Sequence, residues 1–357
     1  KAGWSNSLSQ TRRRLRRRRS CIMRQEDMNM KLTVNSSMAK SLQKFLKRNF
    51  MILAALFLIV LALSVFTDTF LTADNLLSVM RQISVDAVLA FGMGMVLIIG
   101  CIDLSVGSVL ALSGCVCVSM IESGVPTEAA VMITLAFGAC CGTVNGLLAT
   151  FTTIPSFIIT LATQQCFRGA AYLMTNGKSI MCYDEKFSAI GTGYVGPIPI
   201  LGIVIAVCLI FTCVLLNKTR FGRGMYAIGG NKAAAVYAGI QVKKITTCVY
   251  IFTGIMSAMA GIMLSSRVYS AQPTSGAGYE CNAIAAAVLG GVSFNGGIGT
   301  VGGVMIGVMI IGFMNNGLNM LHVTSYWQII VKGLLILMAV YLDTLRNNRR
   351  LHKKKRG

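Results

Sequence analysis

The stretch FMILAALFLIVLALSVF, residues Phe50–Phe66, carries no charged side chain and follows the cationic Lys44, Lys47 and Arg48. Apolar runs of about 20 residues cross a bilayer as helices, because hydrocarbon offers no partner to an open backbone N–H or C=O. Outward from this run, a polar link (Thr67–Arg81) leads to apolar segments at Val85–Cys101, Leu104–Ile121, Ala129–Phe151, Phe157–Met174, Ile198–Leu216, Ile245–Leu264, Ala283–Val292, Val301–Phe313 and Trp327–Leu342. The expectation is an all-α, polytopic membrane protein with ten crossings, Ala283–Val292 being a short one. No A-x-A-like site follows the first run, so it reads as a retained span.

Composition points the same way. Hydrophobic residues make up 54% of the 357-residue chain and charged residues 13%, against roughly 25% charged in soluble domains. The net charge of +21 sits at the two ends. Residues 1–49 hold 14 Lys/Arg against 2 Asp/Glu, and residues 344–357 hold 7 Lys/Arg and no acid. Basic flanks of membrane spans stay on the cytoplasmic side, so both termini are expected inside, which requires an even number of crossings. The loop 217–244, with Lys218, Arg220, Arg223, Lys232, Lys243 and Lys244 and no acid, is placed inside by the same rule. The domain reading is a basic, disordered segment 1–49, a transmembrane domain 50–343 and a basic cytoplasmic tail 344–357. The run Thr11–Arg19 reads as a solvated flank rather than a nucleic-acid site.

Most of the 12 Cys lie in apolar segments, where they act as small hydrophobes, and with only two His no zinc site is expected. Gly297–Gly302 fits G-x-G-x-x-G, but no acid follows about 20 positions on and the setting is a membrane helix. The chain therefore carries no credible nucleotide site, and no catalytic residue, metal or cofactor is assigned. Gly138, Gly142 and Gly146, and Gly303 with Gly307, have the spacing of close helix packing, within one subunit or at a subunit seam. A faint internal echo relates Ile98–Ser108 to Val288–Thr300; broken helices at matching positions of two halves often mark a transport path.

Asp103, in Gly100-Cys-Ile-Asp-Leu-Ser-Val-Gly107, is an acid between two apolar spans and reads either as a functional group or as a helix start. Lys332 and Arg168 also lie within spans, and the few ionisable groups there outline no proton or sodium relay. In the loop 217–244, Phe221–Gly224, then Gly229-Gly230-Asn231 and the Ala-rich 233–238, read as a short helix entered through glycine turns and suited to a partner's groove.

Four stretches in order resemble the inner-membrane permease family of ribose-type ABC importers over about Phe50–Asp343: GCIDLSVGS (Gly100–Ser108), Ile154–Ile180, TRFGRGMYAIGGNKAAAVYAGI (Thr219–Ile240), and Arg267–Asn316 with AIAAAVLGG and NGGIGTVGG. Ser156, Cys281-Asn282 and Ile298 depart from the family pattern, and the Arg-rich start has no counterpart in it. The resemblance implies a multi-pass protein of the bacterial plasma membrane, paired with a second permease subunit, a cytoplasmic ATP-binding subunit and an extracytoplasmic sugar-binding protein. Asp103, Ser105 and Asn295 become candidates to line or gate the path. Arg220, Gly222, Arg223, Gly229, Gly230 and Asn231 become candidates for coupling to the ATPase. Two alternatives stay open: a permease of the related branched-chain amino-acid importers, and a secondary transporter.

Overall fold

The computed structural model describes residues 46 and 49–355, with the side chains of 339, 342–343 and 345–355 excepted. The basic segment 1–49 therefore lies almost wholly outside the described residues. The chain divides into units Lys1–Leu53 and Ala54–Gly357, and the architecture below concerns the second.

Helix α1 spans Asn49–Phe66. It is followed by α2 (Ala73–Ile98), α3 (Val106–Glu122), α4 (Thr127–Phe151) and α5 (Ser156–Thr175). After strand β1 (Ile180–Met181) come α6 (Glu185–Thr192), the strands β2 (Tyr194–Val195) and β3 (Ile198–Pro199), and α7 (Ile200–Lys218). Two short helices, α8 (Arg220–Gly230) and α9 (Lys232–Tyr237), lead to α10 (Val242–Arg267); strand β4 (Ser270–Ala271) precedes α11 (Tyr279–Leu289), α12 (Val301–Met320) and α13 (Ser325–Lys355). Three of the chain's few prolines, Pro126, Pro155 and Pro199, stand at the N-caps of α4, α5 and α7, where the missing N–H costs nothing. Six of these helices (α1, α2, α4, α7, α10 and α12) are long and apolar enough to cross a membrane.

The fold is mostly helical, with one small correction to the all-α reading. β1 pairs antiparallel with β4, and β2 with β3. The second span also differs from expectation: α2 begins at Ala73, inside the stretch read as a polar link. Thr72 caps it, its hydroxyl accepting from Asn75 N at 3.4 Å, and Asp74 sits in the first turn. The polar residues of this first stretch, Asp74 and Ser78 among them, are exposed, and α2 becomes a buried pillar only beyond it. It packs on α7, α10, α11 and α12, and Val85–Ile98 is buried throughout.

The small-residue spacings resolve into packing within one chain. A Cβ on Gly138 would strike Gly254 O, one on Gly142 Tyr250 O, and one on Gly146 would lie 2.9 Å from Thr247 Cα, so α4 lies backbone to backbone on α10. Gly303 and Gly307 do the same against Gly290 and Ala286 of α11 and the turn after it. These glycines are not a subunit seam.

Candidate functional site

The two echo stretches meet. α2 stops at Ile98 and turns through Gly100, whose φ is +77°, while the segment after α11 turns through Gly296 and Gly297 at φ +85° and +73°. Gly297 N donates to Ile98 O at 2.8 Å, and a Cβ on Gly296 would lie 2.9 Å from Gly100 N. The C-terminal end of α8 is pressed onto this junction. A Cβ on Gly229 would collide with Ile98 O and Gly297 N, and Tyr226 Oη donates to Gly299 O at 3.0 Å.

Backbone opened at the first break is satisfied by neighbouring side chains, as a water-free interior requires. Ile102 N donates to Ser156 Oγ (3.2 Å), Leu104 N to Thr160 Oγ1 (3.1 Å), and Tyr250 Oη to Ile102 O (3.3 Å). Asp103 and Ser105 are buried together at 2% and 1% exposure. Asp103 Oδ1 accepts from Ser105 N at 2.9 Å and from Ser105 Oγ at 2.6 Å, and Ser105 Oγ accepts from Asn145 Nδ2 at 2.7 Å. This polar chain shapes the entry to α3 and ties it to α4. Neither residue is open to solvent. Asn295, by contrast, is exposed beside the glycine junction, so the three path candidates are not brought together.

A different face carries the exposed polarity. From β4 the chain dips inward until Gly276 lies against Gly107 at the start of α3, at the far end of that helix from Glu122. Arg168 of α5 holds the dip through its Nη1, donating to Pro273 O at 2.6 Å and Ser275 O at 2.5 Å, and Gln164 Nε2 donates to Glu280 Oε1 at 3.5 Å. Along this surface Gln165 of α5 and Gln272, Thr274, Gly278 and Cys281 of the dip and α11 are exposed. α1 and α7 instead expose Phe57, Leu58, Leu61, Val65, Val207, Ile210, Phe211 and Val214, a face that lipid tails suit. Amide side chains and loop backbone find no partners in hydrocarbon, so the α5–dip–α11 face suits water or another polypeptide.

Asp86, midway along α2 and 8% exposed, was hidden from the sequence reading inside Val85–Cys101. Its Oδ1 accepts from Asn282 Nδ2 at 3.4 Å. An acid inside an apolar run was the available signal.

The loop 217–244 is two helices. Phe221–Gly224 is helical and not a glycine turn: Thr219 Oγ1 caps α8 by accepting from Gly222 N at 3.0 Å, and Asn231 Oδ1 caps α9 by accepting from Ala234 N at 3.0 Å. Gly222 is buried against Leu215 O and Leu216 O and Gly229 faces inward, whereas Arg220, Arg223, Gly230 and Asn231 are exposed. Missed by the sequence reading, Val236 and Tyr237 stand 56% and 91% exposed on α9.

Residues 75–340 match the family described as branched-chain amino acid transport system / permease component. The ribose import permease protein RbsC of Bacillus subtilis is 46% identical over 81% of this chain and 90% of its own length. RbsC of Haemophilus influenzae is 41% identical over 83% and 93%, and the xylose transport system permease protein XylH of the same organism is 34% identical over 83% and 96%. No solved structure matches the chain. Multi-pass, built around two interlocked helix breaks and similar to these proteins over most of its length, the chain belongs to this family of membrane permease components.

Proposed function

We propose that this chain is the permease subunit of an ATP-driven monosaccharide importer of the bacterial plasma membrane. It is not itself an enzyme; hydrolysis belongs to a separate ATP-binding subunit, and the sugar arrives from an extracytoplasmic binding protein. The observation that carries the reading is the exposed polar face of α5, the dip and α11 in a protein whose α1 and α7 faces suit lipid. We assign this face to the transport path, closed by a second permease subunit. Asn295 lies at its cytoplasmic end beside the glycine junction, while Asp103 and Ser105 keep the adjoining break in shape.

Ten crossings with both termini inside fit the positions of the basic segments. They also fit the ten helices α1 to α5, α7 and α10 to α13, of which α3 and α11 are short. The domain division follows: a transmembrane region 50–343 between basic cytoplasmic ends, with α8 and α9 as the coupling element. Arg220, Arg223, Val236 and Tyr237 form its outward surface, and Gly229 with Tyr226 transmits its motion to both helix breaks at once.

The family description names branched-chain amino acids, but the relatives reported above carry ribose and xylose in their names, which favours a sugar. Reconstitution with the ATP-binding subunit and binding protein tests this. ATP-dependent uptake of labelled D-ribose or D-xylose, insensitive to ionophores, is expected. Uptake of leucine instead, or sugar uptake driven by an ion gradient without ATP, would overturn it.

A further inference from the structure

A cavity of about 310 Å³ lies between α11 and α13, lined by Tyr279, Cys281, Asn282, Ile329, Lys332 and Ile336 among others. That volume is at the lower end of the roughly 300–1,000 Å³ of small-molecule sites. Its position is unusual for polar groups, since Asp86 behind Asn282 stands midway along a membrane-spanning helix. Asn282 spends one amide hydrogen on Asp86, leaving its second hydrogen and its carbonyl oxygen available; Lys332 adds donors and no acceptor. Arg267 belongs to the same neighbourhood but donates to Arg81 O at 3.0 Å.

We propose that this cavity is an intramembrane holding site for a neutral polyhydroxy solute of monosaccharide size, with Asn282 and Lys332 as its hydrogen-bonding residues. The inference rests on the importer reading above. Hydroxyl groups both donate and accept, and the cavity offers both, with apolar walls from Ile329 and Ile336 for the carbon face of a ring. Asp86, behind Asn282, offsets part of the Lys332 charge, and the mixed donors and acceptors between apolar walls suit an uncharged polyol. A lipid headgroup belongs at the interface, not at mid-helix depth, and an acyl chain would leave the Lys332 ammonium and the remaining Asn282 amide groups unmet.

Cys281 provides a native reporter. The importer, reconstituted with its ATP-binding subunit and binding protein and with every other Cys replaced, is labelled with N-ethylmaleimide. D-ribose is expected to slow labelling of Cys281 severalfold, and leucine is not. Asn282→Ala and Lys332→Met are expected to lose both the protection and most of the uptake. Because Asn282→Ala also strands Asp86, Gly333→Leu, at a position that also lines the cavity, is the second variant. An added side chain there meets open space, so it should fold, fill the cavity and abolish protection and uptake. If the complex imports ribose while Cys281 is unprotected and Gly333→Leu transports normally, the site is overturned and the importer reading stands. If labelling responds to lipid content and not to ribose, the cavity is a lipid groove. If the complex imports no monosaccharide, both readings fall together.

Discussion

Gly297 donates its backbone N–H to the carbonyl oxygen of Ile98 at 2.8 Å, joining the end of α2 to the segment before α12. The bond ties together two helix breaks nearly 200 positions apart in sequence, and α8 presses Gly229 onto the same point. Motion of α8 cannot leave either break undisturbed, because backbone meets backbone with no flexible side chain between them.

Gly229→Ala is therefore expected to be damaging. Its Cβ would collide with Ile98 O and Gly297 N, and overpacking of rigid neighbours costs about 1–3 kcal/mol. Gly230 is the contrast. The sequence suggests that both glycines serve turns, yet neither has a positive φ, and a Cβ on Gly230 meets open space. Gly230→Ala should be neutral or slightly stabilising, given alanine's helix preference. Thermal melting and ribose uptake of both variants check this; equal behaviour of the two would refute it.

Asp103 tests the difference between a path residue and a scaffold. Asp103→Ala removes the acceptor for Ser105 N and Ser105 Oγ, and hydrogen bonds to a charged group contribute about 1.5–3 kcal/mol each. The expected signature is a lower melting temperature and reduced yield, with the sugar concentration giving half-maximal uptake unchanged in whatever protein folds. Ser105→Ala should behave alike, since it strands Asn145 Nδ2. A changed sugar dependence at wild-type stability would put Asp103 back in the path.

The surface of α9 yields a prediction about assembly. Tyr237 and Val236 are apolar and exposed beyond the end of α7 on a helix with basic neighbours. Tyr237→Ser should reduce co-purification with the ATP-binding subunit without changing the melting temperature of the isolated permease. Arg223→Glu should weaken association at low salt and far less at high salt, where exposed charges are screened beyond about 10 Å at 0.1 M. Undiminished co-purification of both variants would remove α9 and Arg223 from the interface.

Membrane character and the position of nearly every helix were legible, because long apolar runs and charge placement report directly on the solvent around each segment. The start of α2 was not. Thr72-Ala-Asp-Asn75 is a helix start followed by Arg81: the helix begins in an exposed polar turn ahead of its buried stretch, and an apolar run marks only the latter. The glycines were legible as packing residues but not by partner: spacing says that something comes close, and the fold supplies α10 for Gly142 and the Ile98 carbonyl for Gly229. Tyr237 and Asp86 escaped notice for opposite reasons. One is an unremarkable aromatic until its exposure is known, and the other a single acid inside a span read as uniformly apolar.

Acid should loosen one surface element selectively. Asp184 caps α6, its Oδ1 accepting from Phe187 N at 2.7 Å and from Thr127 Oγ1 at 2.8 Å. The Phe187 N–H foremost, and then the Thr127 hydroxyl, hold its carboxyl below the usual aspartate value, which is about 3.9 in an unfolded chain. A depressed carboxylate stabilises the folded form fully above that unfolded value and loses its contribution as pH falls through the lower folded one. The attachment of α6 to the start of α4 should therefore hold from neutrality down to about pH 4 and weaken below it. Amide hydrogen exchange of Glu185–Thr192, compared with that of buried α2 in the same sample, reads this out. The ratio of the two should rise on acidification in the native protein. In Asp184→Asn, whose side chain does not titrate, the ratio should be higher at neutrality and rise less on acidification, the exposed Lys186–Glu128 pair being the titrating contact that remains. A flat ratio in the native protein would mean that the cap contributes nothing that protonation can remove.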